Sequence, residues 1–209
     1  MYMKKICLFA AAAVAALSLA SCGQNAEEAS DTNPVVEAIM ARRSIRQYKD
    51  TPVEKEKLET LARCGIAAPS GMNSQPWEIR IVTSAESIQG ISQTMLAANP
   101  EMAARDPEAK NIFRNAPVLI FVGAPENEGG INIGLLGENI CIAAVSLELG
   151  TVIMQGPLAM LKNSPEGQEW LAGLGFSEGY SPRYVIGVGY PDEEPEAKPR
   201  DESKIVFVD

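Results

Sequence analysis

The chain has 209 residues, of which 27 are acidic, 18 basic and none histidine, giving a formal net charge of −9. An acidic body of this kind argues against nucleic acid or an anionic lipid surface as an electrostatic partner. The missing imidazole excludes Ser-His-Asp and Cys-His catalytic sets and every zinc site that needs histidine. Any enzymatic chemistry would therefore fall to a bound cofactor.

The first segment reads as a targeting sequence. Lys4 and Lys5 form a basic start, and Ile6 to Ala20 is an apolar run short for a bilayer span. Leu19-Ala20-Ser21-Cys22 resembles the lipobox of bacterial lipoproteins, in which the cysteine becomes the lipidated first residue. Residues 1–21 are accordingly expected to be a signal peptide, 22–32 an acidic flexible tether, and 33–209 one folded domain. Loss of Lys4 and Lys5 would take the formal charge from −9 to −11, so membrane attachment is expected through lipid on Cys22 rather than through a basic face. The expected location is exported and membrane-anchored, on the periplasmic or outer-membrane side. Cys64 and Cys141 remain, both in helix-like stretches, and read as buried free thiols; a disulfide is the alternative in an exported protein. No metal site is expected from two cysteines without histidine.

Asn33 as cap, Pro34 at the first position and apolar Val35, Val36, Ile39 and Met40 predict a helix. It runs into Arg42-Arg43-Ser44-Ile45-Arg46. Three guanidiniums and a hydroxyl within five residues suit a phosphate monoester; the alternative is that these cations complement the dipole at the helix end. Thr51-Pro52-Val53-Glu54 predicts a helix start with a capping box, followed by an apolar face of Leu58, Leu61 and Ala62 running to Ile66. Residues 68–76 form a loop by composition, and Trp77, Ile79 and Ile81 alternate with Glu78 and Arg80 as a strand does. Helices are expected over 85–98 and 106–115, and an interior strand over 117–122.

A long, largely apolar helix is expected over 131–149, charged only at Glu138 and Glu148 and stopped by Gly150, with a strand over 151–155. Ser164-Pro165-Glu166-Gly167 starts a further helix running through Leu171, and 183–189 is a further strand. Beyond a charged, proline-rich segment over 191–203, Lys204-Ile205-Val206-Phe207-Val208 reads as a strand that pairs with a distant sheet edge or with another subunit.

Four separated pieces carry a family resemblance: the 42–46 cluster, the loop Pro69-Ser70-Gly71-Met72-Asn73-Ser74-Gln75-Pro76-Trp77, Gln155-Gly156-Pro157 after a buried strand, and Lys198-Pro199-Arg200 in the tail. In this order and at these separations they closely resemble the nitroreductase family of FMN-dependent oxidoreductases, over about residues 34–207. The resemblance implies an α+β fold, a three-layer α/β/α arrangement around a mostly antiparallel sheet. It also implies an intertwined homodimer with FMN at the interface, the C-terminal segment wrapping the partner and the 131–149 helix in the dimer core.

The same resemblance implies the site. Arg42, Ser44 and Arg46 match positions near the FMN phosphate and ribityl chain, with Arg43 either joining them or facing solvent. Arg200 and Lys198 match a basic pair that closes over the phosphate, whose charge is about −1.5 to −2. Pro69, Ser70 and Gly71 match a loop that approaches the flavin ring from the partner subunit, where Gly71 would let the backbone come close. Asn73 and Gln75 would bond either the flavin's polar edge or their own loop, and Trp77 would be core or interface. Gln155 and Gly156 fall where a backbone N–H meets flavin N5. Many relatives carry Glu at the position of Gln155, so a side-chain proton role is not expected here, and no side chain is assigned as catalytic.

The implied reaction is two-step: NAD(P)H delivers hydride to flavin N5 and leaves, and an electron-poor small molecule such as a nitroaromatic or a quinone is then reduced on the same face. The alternatives are an FMN-binding lipoprotein without turnover, or another flavin reaction on the same fold (flavin fragmentation, dehalogenation, azoline oxidation). Export sets a conflict with NAD(P)H as donor, since that pool is cytoplasmic.

Overall fold

The computed structural model describes residues 33–105 and 109–208; the expected signal peptide, Cys22 and the whole of the tether lie outside these residues. Helix α1 (Pro34–Ala41) starts on its proline, as expected. Helix α2 (Lys55–Ile66) starts three residues later than the capping pattern predicts, because Glu54 stands at the cap with extended backbone and makes no capping bond. Its carboxylate instead accepts a hydrogen bond from Tyr190 Oη at 2.7 Å. The Lys49 N–H bonds the Tyr190 carbonyl at 2.9 Å, which ties the chain leading into α2 to a distant segment.

Strand β1 (Glu78–Val82) and helix α3 (Ala85–Ala98) fall where the patterning places them, with Ser84 Oγ capping α3 through the Ser87 N–H. The helix expected over 106–115 is not formed. A short α4 (Pro100–Arg105) precedes it, and 109–115 is turn, with 106–108 outside the described residues. The buried Asn111 explains this: its Oδ1 accepts the N–H groups of Phe113 and Asn115, and Arg114 and Asn115 take left-handed φ values of 56° and 59°. A side chain that satisfies the backbone locally competes with a helix.

Strand β2 (Val118–Pro125) is buried along nearly its whole length. Helix α5 (Ile131–Ser146) ends before the expected 149, and Gly150 does not stop it. Glu148 takes the left-handed position (φ 62°), the Leu149 N–H reaches back to the Ala144 carbonyl at 2.8 Å, and the Glu148 N–H reaches that of Val145 at 3.1 Å. That is a Schellman closure built on a non-glycine residue. Strand β3 (Gly150–Met154) follows. Gly156-Pro157 opens helix α6 (Gly156–Lys162), and Ser164 caps helix α7 (Pro165–Ala172) through the Gly167 N–H.

Strand β4 (Tyr180–Gly189) begins three residues earlier than expected. The terminal strand expected over 204–208 is not formed within the chain: Glu202–Lys204 makes a 3-10 turn, and Ile205, Val206, Phe207 and Val208 are exposed and unpaired in any ladder among the described residues.

The described strands form one antiparallel sheet in the order β1-β2-β4-β3. The two-residue period of β2 sends Val118, Ile120 and Val122 to one face, against Leu58 and Leu61 of α2 and Leu136 and Ile140 of α5. Leu119 and Phe121 face the other way, onto Ile88 and Met95 of α3, Leu158 and Leu161 of α6 and Leu171 of α7. The result is the expected α+β, three-layer α/β/α architecture.

One feature of the sheet positions the arginine cluster. Gly150 and Gly189 are direct partners across the β3–β4 ladder. A Cβ on Gly150 would lie 2.7 Å from Ile45 Cγ1, and one on Gly189 would lie 2.7 Å from the Tyr48 ring and 2.8 Å from the Pro117 ring. Two missing side chains thus let the 42–48 segment lie against the sheet. Gly150→Ala is expected to lower the unfolding free energy by about 1–3 kcal/mol, the usual cost of overpacking. Urea unfolding reads this as a lower midpoint at unchanged slope; an unchanged midpoint would mean that Ile45 does not depend on the gap.

Candidate functional site

Segment 42–48 meets the outer edge of β3 at Ser44 and Ile45 and then crosses to Pro191, beyond the end of β4. Ser44 forms a parallel bridge to Thr151, and the Ile45 N–H donates to the Thr151 carbonyl at 2.9 Å. Tyr48 forms an antiparallel bridge to Pro191, and its Oη donates to the Ile45 carbonyl at 2.6 Å. Burial, reinforced by the nearby Glu193 charge, pushes the Tyr48 pKa well above its ordinary value, so the hydroxyl stays protonated and remains a donor. The backbone N–H groups of Arg46 and Gln47 both donate to Glu193 Oε1, that of Gln47 at 3.2 Å.

The three guanidiniums have different partners. Arg43 donates to the Met40 carbonyl at 2.7 Å and to the Arg42 carbonyl at 2.8 Å. It therefore serves the end of α1, the alternative reading for the cluster, rather than turning with Arg42 and Arg46. Arg42 pairs with Glu138 of α5 at 3.5 Å. Arg46 donates to the Ser44 carbonyl at 3.2 Å. Among the described residues Glu138 is the only carboxylate ion-paired to these guanidiniums, so the segment keeps a local positive charge on an acidic protein.

Gln155 and Gly156 are exposed at the far end of the same strand. From Thr151, beside Ser44, to Gln155 is about 13 Å at a strand rise of roughly 3.3 Å per residue. Helix α6 begins at Gly156, whose N–H is one of those that a helix start leaves without an intrahelical acceptor. A Cβ on Gly156 would meet nothing within 4 Å, so the surface above this turn is open.

The 69–75 loop sits elsewhere, at the start of α5: the Gly71 N–H donates to Asn132 Oδ1 at 3.3 Å, and Asn132 in turn holds Glu128 at 3.0 Å. Nothing among the described residues lies within 4 Å of a Cβ on Gly71, so the close approach expected there is made to no described part of this chain. The left-handed positions are Met72, Asn73 and Gln75, with φ of 52°, 54° and 46°. Such strain in non-glycine residues clusters at functional sites. Ser70 braces the loop, its Oγ accepting the Gln75 N–H at 3.0 Å and its carbonyl the Asn73 N–H at 3.0 Å.

Pro69 is exposed, and the side-chain amides of Asn73 and Gln75 hydrogen-bond no other described residue. Trp77 is buried in the core. Lys198 and Arg200 are exposed, Arg200 bonding only the Lys198 carbonyl at 3.3 Å among the described residues.

Within one chain, then, the fold sets Ser44 beside the start of β3 and Gln155-Gly156 just past its end, about 13 Å away. No hydrogen bond or ion pair among the described residues ties the 69–75 loop or the Lys198–Arg200 pair to them. Grooves lined by Pro125, Asn127 and Tyr180, and by Lys162, Phe176 and Tyr180, lie at the opposite end of β4. Cys64 and Cys141 are both free thiols; burial raises the Cys141 pKa, partly offset by its hydrogen bond with Thr151, and keeps it protonated and unreactive.

Glu138, Glu193, Tyr48 and Thr151 shape the site without having been assigned to it from sequence. Glu138 carried a signal, as one of two charges in an apolar helix, whereas Glu193 was hidden in an acidic run.

Arginine forks, a hydroxyl and an open helix start along one strand edge make a donor set for a phosphate-bearing ligand with a polar ring edge. The sequence model of the Nitroreductase family matches residues 39–190. The chain belongs to the nitroreductase family. It is 31% identical over 176 residues to the NADPH-flavin oxidoreductase of Vibrio harveyi, covering 80% of this chain and 70% of that protein. It is 26% identical over 192 residues to an FMN reductase of Bacillus subtilis strain 168, covering 80% and 70%. Among solved structures, an FMN-bound nitroreductase from Desulfitobacterium hafniense DCB-2 superposes with a TM-score of 0.76 at 27% identity, over 85% of this chain and 100% of that one.

Proposed function

We propose that this nitroreductase-family chain is an FMN-dependent oxidoreductase that passes electrons from a reduced donor such as NAD(P)H to electron-poor acceptors, nitroaromatics or quinones. The observation that carries the reading is the placement of Arg42, Ser44 and Arg46 beside β3, on the same strand that ends in the open Gln155-Gly156 turn. The residues fit the cofactor: two guanidiniums and a hydroxyl suit its phosphate, and the free N–H at Gly156 suits the ring. Arg42, Ser44 and Arg46 would hold the phosphate end, with Lys198 and Arg200 adding charge once the tail is placed. When bound, FMN supplies a position, N5, that accepts and returns hydride.

This chain's part is binding and orientation. Gln155 keeps a backbone donor at the turn and carries a neutral amide, so no side-chain acid or base is engaged there. The strained tip at Met72, Asn73 and Gln75, with free side-chain amides facing outward, suits a surface that closes the site on a second subunit.

The working unit is a homodimer. Val36, Ile39 and Met40 of α1, and Ile131 and Leu135 of α5, are exposed, and so is the apolar tail, Phe207 at 91%. Exposed apolar surface of this extent marks an interaction site. The mature domain begins after a signal peptide at 1–21 and a tether at 22–32, and lipid on Cys22 anchors it to a membrane outside the cytoplasm. There the donor is either a reductant other than NAD(P)H, or NAD(P)H reduction is a laboratory activity only.

The deciding experiment is the absorption spectrum of the domain starting at Gly23, followed by NAD(P)H and then a nitroarene or quinone. Flavin bands that bleach and recolour support the oxidoreductase. Bands that persist support a flavin carrier, and a colourless protein that takes up no FMN overturns the reading. Arg42→Ala combined with Arg200→Ala is expected to abolish FMN retention, measured as flavin released per chain after denaturation. Truncation after Ser203 is expected to shift the dimer towards monomer in sedimentation velocity. Cys22→Ser is expected to move the full chain from the membrane to the soluble fraction, and persistent membrane association would refute the lipid anchor.

A further inference from the structure

We infer that Glu193 is a positioning residue for the cofactor cradle: its carboxylate holds the backbone of Arg46 and Gln47 and so aims the Arg46 guanidinium at the ligand. The inference rests on the FMN reading above and concerns how this chain builds that site.

Residues 46–49 and 190–193 run antiparallel as a short ladder outside the sheet. The Lys49 N–H donates to the Tyr190 carbonyl at 2.9 Å, Tyr48 bridges Pro191, and the Asp192 N–H donates to the Gln47 carbonyl at 2.9 Å. At the next step the backbone partner is replaced by a side chain, since Glu193 Oε1 accepts the N–H groups of both Arg46 and Gln47. Two successive backbone N–H groups converging on one anionic oxygen form charge-assisted bonds, stronger than the neutral bonds of an ordinary ladder. Glu193 is half-buried, whereas Asp192, Glu194 and Glu196 in the same acidic run are exposed. Of these four acids it is the one that turns inward.

The consequence for Arg46 is specific. Its backbone N–H is pinned by Glu193, and its Nη1 rests on the Ser44 carbonyl at 3.2 Å. The carboxylate is engaged with backbone N–H groups and makes no ion pair with the Arg46 guanidinium, which keeps its charge for a ligand. Glu193 is also the root of the tail that carries Lys198 and Arg200, so one contact sets both the aim of Arg46 and the point from which the second basic pair departs.

The test uses the full folded domain, stripped of flavin and titrated with FMN by fluorescence quenching, in the wild type and in Glu193→Gln, Glu193→Asp and Glu193→Ala. Glutamine keeps an acceptor oxygen at the same reach and is expected to bind FMN within a few-fold of wild type. Alanine leaves two N–H groups without their acceptor and is expected to weaken binding by about tenfold to a hundredfold. Aspartate, one methylene short, is expected to fall between. Amide hydrogen exchange of the 44–49 peptide in the flavin-free protein should accelerate in the alanine variant and stay slow in the glutamine variant.

Wild-type affinity in the alanine variant, or a glutamine variant as weak as alanine, overturns the inference. If alanine does not fold, aspartate decides: affinity equal to wild type overturns the proposal, and a tenfold loss supports it. A wild-type protein that takes up no FMN defeats the FMN reading instead, and the exchange of 44–49 then still reports whether Glu193 pins the segment.

Discussion

Ile45 and Tyr48 rest where two glycines face each other across the β3–β4 ladder, and the candidate site depends on that seat. Without Cβ atoms at Gly150 and Gly189, a segment carrying three arginines lies within van der Waals reach of the sheet, bonds Thr151 through its backbone and buries Ile45. Close packing leaves such a segment little freedom, because interiors at near-crystalline density do not absorb an extra methyl without displacement. The seat also fixes position: Ser44 bridges Thr151 near the start of β3, and Tyr48 crosses to Pro191 beyond the end of β4.

The charges around this seat are arranged by backbone contacts as much as by ion pairs. Arg43 is held by carbonyls at the end of α1, Arg42 leans on Glu138, and Glu193 binds N–H groups of the segment. A cluster of like charges on a small surface is thereby kept in place with one ion pair among the described residues, on a chain of net charge −9. The Arg42–Glu138 pair is partly solvent-exposed and adds little to stability; its effect is to orient the guanidinium against α5. The 69–75 loop, away from this cluster, stores its strain in three left-handed non-glycine residues, held by Ser70 and by Asn132 at the start of the same helix. Helix α5 therefore contacts both segments, through Glu138 and through Asn132.

Much of this fold was legible residue by residue. Strand β2 announced itself as an unbroken apolar run, and α7 through its Ser164-Pro165 start, where the serine does cap the helix. The failures share a cause. The pattern Thr51 to Glu54 was a sound capping box by local rules, but Tyr190, from the far end of the sheet, takes the Glu54 carboxylate. Residues 109–115 have helical composition, yet the buried Asn111 captures two of their N–H groups. Gly150 looked like a helix stop and is instead a contact point for Ile45, while the stop is made by Glu148. In each case a contact distant in sequence, or a side chain competing for backbone partners, overrode a local propensity of about 1 kcal/mol.

The sequence by itself determined the family, the α+β class and the residue types available for a phosphate-bearing cofactor, because ordered motifs, apolar periodicity and the absence of histidine are properties of the chain before it folds. Only the tertiary structure decided which arginines face outward, which glycines are seats rather than hinges, and that Glu193 rather than its acidic neighbours turns inward. Glu193 and the two glycines meet Arg46, Ile45 and Tyr48 across more than a hundred residues of sequence. A hydrogen bond or a missing Cβ acts on whatever is near in space, and no local pattern records that neighbour.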